Sequence, residues 1–303
     1  MKTKIKVSVL IGLCLQSEIK LLDLCLSQCL RHSNPDYEVI YFIADQTDHK
    51  EIVKNVVSKY PELNTVVIPT PRIDAGYFID YLLTTAEVSF KQIWHTDYTV
   101  NLDVDAFPIS HNWLNSPISY MEANYRCLQV GVDTNLTDSY PFLPRFTHLN
   151  NYFRIQRTID AFRWSRTYGF RRPTHGKYFV DCGVEVSLGI MKECSDFQSK
   201  ENYYKYNYGI TRAIGETPQY GLYGFVLDEK VLHICFGSTA EVDFPDLQKR
   251  FEMLGKHYLN MVNVLQYWGD TRDELNRIAD HLNNSAIQNI WRPQFKTSGI
   301  IGL

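Results

Sequence analysis

The 303-residue chain is 45% apolar, 14% aromatic and 21% charged, with 31 Lys+Arg against 34 Asp+Glu for a formal charge of −3. These are globular proportions with enough chain for a real core, and they exclude wholesale disorder and collagen-like fibres. The longest apolar run, Val9 to Leu15, is far short of the roughly 20 residues of a membrane span, so no transmembrane helix is expected.

Basic residues precede that run, as in a signal peptide, but no small-residue cleavage site follows and Gln16-Ser17-Glu18 reads as a helix start. A buried first strand over Lys6 to Leu13 is the better reading, and its continuous apolar character suits a parallel sheet covered on both faces. Ser17 to Arg31 has helical spacing. Tyr37 to Ala44 (YEVIYFIA) is the second strand, with Asp45 to Asp48 as its exit turn. Glu51 to Tyr60 reads as a helix, Thr65 to Ile68 as a strand, Ala75 to Val88 as a helix and Tyr98 to Leu102 as the fourth strand. This alternation predicts a doubly wound α/β sheet, whose ligand sits at the carboxyl ends of the strands. From about 111 to 215 the sequence is aromatic and loop-rich. Strand signals return at Tyr178 to Ser187 and Leu222 to Phe236, and helical patterns at Leu247 to Trp268 and Arg272 to Ile290. The economical division is one domain over 1–245, with halves 1–110 and 111–245, and a helical C-terminal appendage over 246–303.

Seven cysteines, at 14, 25, 29, 127, 182, 194 and 235, form no CxxC pair and indicate neither a zinc ribbon nor a disulfide framework. Cys25 and Cys29, one turn apart among leucines, read as a packed helix face. A reducing cytoplasm is the expected compartment, so the sequons at Asn135 and Asn283 carry no weight.

The strongest chemical signal is Asp103-Val104-Asp105, directly after the fourth strand. Alternate residues of an extended segment point the same way, so both carboxylates are expected to face one site. Paired carboxylates repel unless a cation intervenes, and Mg²⁺ or Mn²⁺ bridging phosphate oxygens is a natural partner. A solvated turn is the plainer alternative, since D-x-D also occurs by chance.

With these residues in view, the sequence resembles the GT-A glycosyltransferases, the nucleotide-sugar-dependent family with a D-x-D signature. KVSVLIGLCLQSEIKLLDLCLSQCL and YEVIYFIADQTD look like that family's first two βα units, and YTVNLDVDAFP, with Asp97 a little before it, like its D-x-D strand. The resemblance covers roughly residues 5–240. It implies a Rossmann-type mixed sheet, a divalent cation, and a nucleotide-diphosphate sugar, UDP-linked, as donor. It further implies nucleoside contact at Asp45, metal and ribose contact at Asp103 and a metal ligand at Asp105. Gly183, in Phe179-Val180-Asp181-Cys182-Gly183, stands for the loop that approaches the donor sugar. His233, in LHICFG, stands for the late histidine of the metal or phosphate site, and Glu216 or Asp181 for the acceptor base. Thr217 departs from the family's Glu-Asp wording after Glu216, and nothing separates inversion from retention.

The residues themselves leave plainer alternatives. Asp45 is also placed to cap the next helix, His233 to be a core histidine, and Gly183 to serve only a tight turn. Two other function classes remain. A metal-dependent nucleotidyltransferase or phosphoesterase also places aspartates on magnesium, but no third carboxylate or GxxxxGK[ST] loop is seen. An idle nucleotide-sugar-binding protein normally lacks one of the two aspartates.

The acceptor is addressed by one segment. Arg145 to Lys177 holds eight Lys+Arg and one acid, Asp160, a local +7 that leaves −10 for the remainder. Phe146, Tyr152, Phe153, Phe162, Trp164, Tyr168 and Phe170 are interleaved with those charges. This suits a stacking polyanion, hydroxylated-base DNA among them, or a phosphate-bearing glycan or lipid-linked acceptor. The plainer reading is a solvated amphipathic helix over RIQRTIDAFRWSR with its aromatics in the core.

Overall fold

A computed structural model describes the chain from Lys4 to Ile234, apart from 15–17, 73–75, 126, 136–146, 171–173, 176–177, 180–182, 194–206, 210–211, 214–223 and 228–230. The chain divides into two compact units, Met1–Ala240 and Glu241–Leu303. The second, with both predicted C-terminal helices, lies outside the described residues.

The order is β1 (Ile5–Leu13), α1 (Glu18–Arg31), β2 (Tyr37–Asp45), α2 (Lys50–Val57), β3 (Asn64–Pro69), α3 (Tyr77–Thr84), α4 (Glu87–Ile93), β4 (Tyr98–Leu102) and β5 (Ala106–Pro108). There follow α5 (Asn115–Ala123), β6 (Gln129–Asn135), β7 (Thr147–Arg157), α6 (Thr158–Thr167), β8 (Thr174–His175), β9 (Tyr178–Phe179) and α7 (Val184–Glu193). The last described strands are β10 (Asn207–Gly209), β11 (Arg212–Ala213), β12 (Gly224–Leu227) and β13 (Val231–Ile234). The main sheet has seven strands in the order β10-β6-β7-β4-β1-β2-β3, and β11-β12-β13-β5 form a second, antiparallel sheet. β1 pairs parallel with β2 on one side and with β4 on the other, while β7 runs antiparallel to β4. This is the doubly wound mixed α/β sheet expected from the sequence, and its order reverses at β1.

Residues of β1 alternate between two buried layers, as period two requires. Leu10, with Phe42 and Ala44 of β2, packs beneath Phe78, Ile79, Leu82 and Leu83 of α3, Phe162 and Trp164 of α6, and Val186 and Ile190 of α7. On the opposite face Val9 is in register with Tyr41, and Tyr41 meets Cys29 of α1. The sheet centre carries a buried polar row on the Leu10 face. There Ser8 Oγ contacts Thr99 Oγ1 at 3.1 Å, and Thr158 Oγ1 meets Thr96 and Thr99 at 3.1 and 3.0 Å.

Several local expectations are corrected. The predicted helix 75–88 is two helices, because Ala86 is extended at φ −76°, ψ 102° and the Thr85 and Ala86 N–H groups both close on the Tyr81 carbonyl. Of the predicted strand 178–187, Tyr178–Phe179 is strand and Val184 onward is helix. Gly183 takes φ 78° and α7 begins at Val184, where burial of Val186 and Ile190 outweighs their β preference. RIQRTIDAFRWSR is not one helix either. Arg157 is extended at φ −62°, ψ 138°, so its first residues complete β7 between β4 and β6.

Gly131 lies beside a register shift in the β6–β7 pair, and a Cβ there would sit 2.7 Å from the Phe153 carbonyl oxygen. Backbone on both sides cannot yield cheaply. Gly131→Ala is expected to cost about 1–3 kcal/mol in urea unfolding.

Candidate active site

The site begins where β1, β2 and β4 end. Leu13 and Asp45 are register partners, and the Gln46 N–H donates to the Leu13 carbonyl at 2.9 Å, so the two strand ends stay level. Glu18, in the first turn of α1, accepts the Cys14 N–H and ties the loop after β1 to the helix. Asp45 is buried, and its Oδ1 accepts from the Thr47 N–H at 2.9 Å and the Thr47 hydroxyl at 2.7 Å. It therefore shapes the exit turn of β2 rather than capping α2, whose N-cap is His49.

Asp103-Val104-Asp105 is a turn and not the extended segment expected from the sequence. The Ala106 N–H donates to the Asp103 carbonyl at 2.9 Å, and the chain leaves the main sheet to enter β5 of the second sheet. The change of sheet forces the bend. The bend does not scatter the carboxylates: Asp105 is buried, Asp103 is half-buried, and the charges of both act on the thiol of Cys25. That thiol is pushed well above its ordinary range, first by its hydrogen bond with Cys29, then by burial, then by the charges of Cys29, Asp105 and Asp103. A thiol so raised stays protonated and is a packing group. Cys25 Sγ points to the Ala106 carbonyl at 3.7 Å and Gln28 Nε2 donates to the Pro108 carbonyl at 3.1 Å, so α1 supports the segment that follows the turn.

β13 brings a further sequence-predicted residue into line. His233 is the register partner of Ala106, one residue past Asp105, although its side chain lies outside the described residues. Gly183 sits before α7 with its N–H donating to the Phe170 carbonyl at 3.0 Å. Asp181 and Glu216 lie outside the described residues. Asp97 is at the amino end of β4, where its Oδ2 accepts the Lys6 N–H at 2.8 Å, so it belongs to the opposite edge of the sheet. Among the described residues no cluster of three or more His, Cys, Asp or Glu forms a protein-only metal cage.

Among its described residues the basic-aromatic segment is largely structural, while Arg145, Phe146, Arg171, Arg172 and Lys177 lie outside the described residues. Phe153, Phe162, Trp164 and Phe170 are all core residues, so their rings are not offered to a stacking ligand. Arg154 is fully buried with its guanidinium 5.7 Å from the Phe170 ring centroid, and Arg157 donates to the carbonyls of Cys127 and Met121 at 2.6 and 2.8 Å. Arg163 and Arg166 of α6 are exposed.

Sequence reading placed Thr47 in the exit turn of β2 and Glu18 at a helix start but gave neither a part in ordering the site. The Thr47 bonds were findable from the Asp-x-Thr turn pattern, whereas the reach of Glu18 back to Cys14 had no such signal.

No helix among the described residues is long and apolar enough to cross a membrane. No protein-family model matches the chain, and no curated protein sequence matches it. Solved structures do. The mannosyltransferase PcManGT from Pyrobaculum calidifontis, in complex with GDP-Man and Mn²⁺, is 12% identical over 94% of this chain and 71% of that one, with a TM-score of 0.45. TarS 1-349 of S. aureus is 14% identical over 94% and 74%, with a TM-score of 0.43. The same S. aureus TarS 1-349 in complex with UDP-GlcNAc is 16% identical over 92% and 72%, with a TM-score of 0.40. The structural neighbours of this chain are GT-A-type glycosyltransferases.

Proposed function

We propose that the chain is a metal-dependent glycosyltransferase that moves a sugar from a nucleotide-diphosphate sugar, UDP-linked, to an acceptor hydroxyl. The observation that supports it most is the pair of carboxylates in one turn at the carboxyl end of β4, beside the point where the strand order reverses. That crevice is where open α/β sheets take ligands.

A divalent cation fits the residues present. Asp103 and Asp105 are hard oxygen donors, one of them buried, and two carboxylates in one turn are electrostatically costly without a counter-charge. Two protein carboxylates, with the remaining positions left to phosphate oxygens and water, is the usual arrangement for Mg²⁺ on a nucleotide. Asp103 and Asp105 would hold the ion, with His233 as a third candidate. Bound there, it supplies Lewis-acid neutralisation of the diphosphate.

The chain's own residues do the rest. Asp45 holds the nucleoside against the end of β2. Gly183, with no side chain and φ 78°, lets backbone approach the donor sugar. The bond from the sugar carbon to the diphosphate oxygen breaks as the acceptor oxygen bonds to that carbon. In an inverting reaction, Glu216 or Asp181 takes the acceptor proton and the nucleoside diphosphate departs. In a retaining reaction no such base is needed on the opposite face. With Phe153, Phe162, Trp164 and Phe170 in the core, a glycan acceptor fits better than a stacked nucleic acid. Residues 1–245 carry this chemistry, and the helical sequence pattern of 246–303 lies outside it.

Thermal melting against nucleoside diphosphates and nucleotide sugars, with and without Mn²⁺, tests the reading. The expected result is a Mn²⁺-dependent rise in Tm with one nucleoside's diphosphate and its sugar conjugates. Folded protein that shows no shift with any diphosphate in the presence of metal overturns it. Pyrophosphate release from a nucleoside triphosphate would replace it with nucleotidyl transfer.

A further inference from the structure

At the amino ends of β1 and β4, the opposite edge of the sheet from the Asp103–Asp105 turn, lies a cavity of about 690 Å³. Its chemistry comes from Lys4, Trp94, Asp97, Tyr98, Glu122 and Arg157. The volume lies within the roughly 300–1,000 Å³ of small-molecule sites.

Trp94 is 45% exposed, yet its ring is fixed in orientation. It stacks on Phe90 with centroids 6.0 Å apart and meets Phe162 edge-on at 5.1 Å. The result is a rigid aromatic wall facing solvent. The formal charges around the cavity balance, Lys4 and Arg157 against Asp97 and Glu122. Arg157 is fixed in place, because one N–H of each terminal nitrogen donates inward to the Cys127 and Met121 carbonyls. Tyr98 donates its hydroxyl to Glu122 Oε1, and Asp97 Oδ2 is taken by the Lys6 N–H. Among the described residues Glu122 Oε2 and Asp97 Oδ1 remain as acceptors, and Lys4 Nζ and the other Arg157 N–H groups as donors.

A balanced field selects neither an anion nor a cation. Mixed acceptors and donors beside an indole suit a ligand whose hydroxyls both give and accept hydrogen bonds and whose C–H face packs on a ring. We propose that this cavity is a binding site for a neutral saccharide, separate from the carboxyl-end site. It does not rest on the transfer reading, since no residue is shared between the two.

The test is titration of the full chain with neutral trisaccharides (cellotriose, maltotriose, chitotriose and mannotriose), read by tryptophan fluorescence and by saturation-transfer NMR on the sugar. At least one should bind at millimolar concentration or below. Trp94→Ala should weaken that binding tenfold or more, Trp94→Phe should restore part of it, and Asp105→Asn should leave it unchanged. Should Trp94→Ala fail to fold, Glu122→Gln at this exposed position should read the same loss. Absence of binding by the whole panel, or binding indifferent to Trp94 and Glu122, overturns the proposal. So does stronger Trp94-dependent binding of glycine, a zwitterion, or of inorganic phosphate. Melting with diphosphate and Mn²⁺ on the same samples separates the two ideas, since either response can be lost without the other.

Discussion

Asp105→Asn is expected to abolish the Mn²⁺-dependent rise in Tm with nucleoside diphosphate and to lower transfer or donor hydrolysis about 100-fold or more. Asparagine keeps the size and one oxygen of the side chain and removes only the charge. Asp105 is 3% exposed, so its charge is poorly screened and counts for more at this position than at the surface. Loss of the Mn²⁺ response in protein that melts like wild type without ligand distinguishes a ligand-binding carboxylate from a structural one. Glu51→Gln, on the exposed face of α2 in an ion pair with Lys54, is the control and should change neither readout. A Mn²⁺ response that survives in Asp105→Asn would remove the turn from the site.

Asp80→Ala should produce the largest loss of stability among polar substitutions, about 2–4 kcal/mol in urea unfolding. From α3, Asp80 accepts the Ser165 hydroxyl at 2.6 Å and the Phe170 N–H on both oxygens at 2.9 Å. It pins the end of α6 and the following turn to the core. Phe170 in turn lies under Arg154, and its carbonyl takes the Gly183 N–H. Removing the carboxylate leaves a buried N–H without its acceptor and loosens the approach to the glycine turn. Asp80→Asn, which keeps one acceptor oxygen, should lose about half as much. Equal stability of wild type and Asp80→Ala would show that Phe170 is held by packing alone.

How far the sequence can be read depends on how local each determinant is. The strands 5–13 and 37–45 are largely apolar runs buried along most of their length, which leaves little choice of structure, and 64–69 is a shorter, half-buried edge strand beside them. The alternation of these runs with helical spacing is enough to imply a parallel sheet. Asp45, Asp103 and Asp105 are visible as site candidates because each lies at or just past the end of a strand, and a strand's end is a position a sequence reveals. The break at Ala86 and the start of α7 at Val184 were not visible. Each depends on a backbone bond or core contact made with residues outside the local pattern.

The aspartate pair shows the same division most clearly. By sequence alone the protein is an α/β chain whose paired carboxylates end the fourth strand, and that much follows from periodicity and spacing. The extended geometry assumed for the pair was wrong, since the next residues pair with β13, more than 120 positions later, and the chain must bend to reach it. Whether the aromatics of 145–177 face solvent or core was equally beyond composition. α6 packs against α3, and the core cluster takes in Phe162, Trp164 and Phe170 together with the α3 and α7 residues over Leu10 and Phe42. Local chemistry determined which residues carry charge and where the strands end. Long-range pairing decided which way they point, because a side chain's direction is set by the partner its backbone finds.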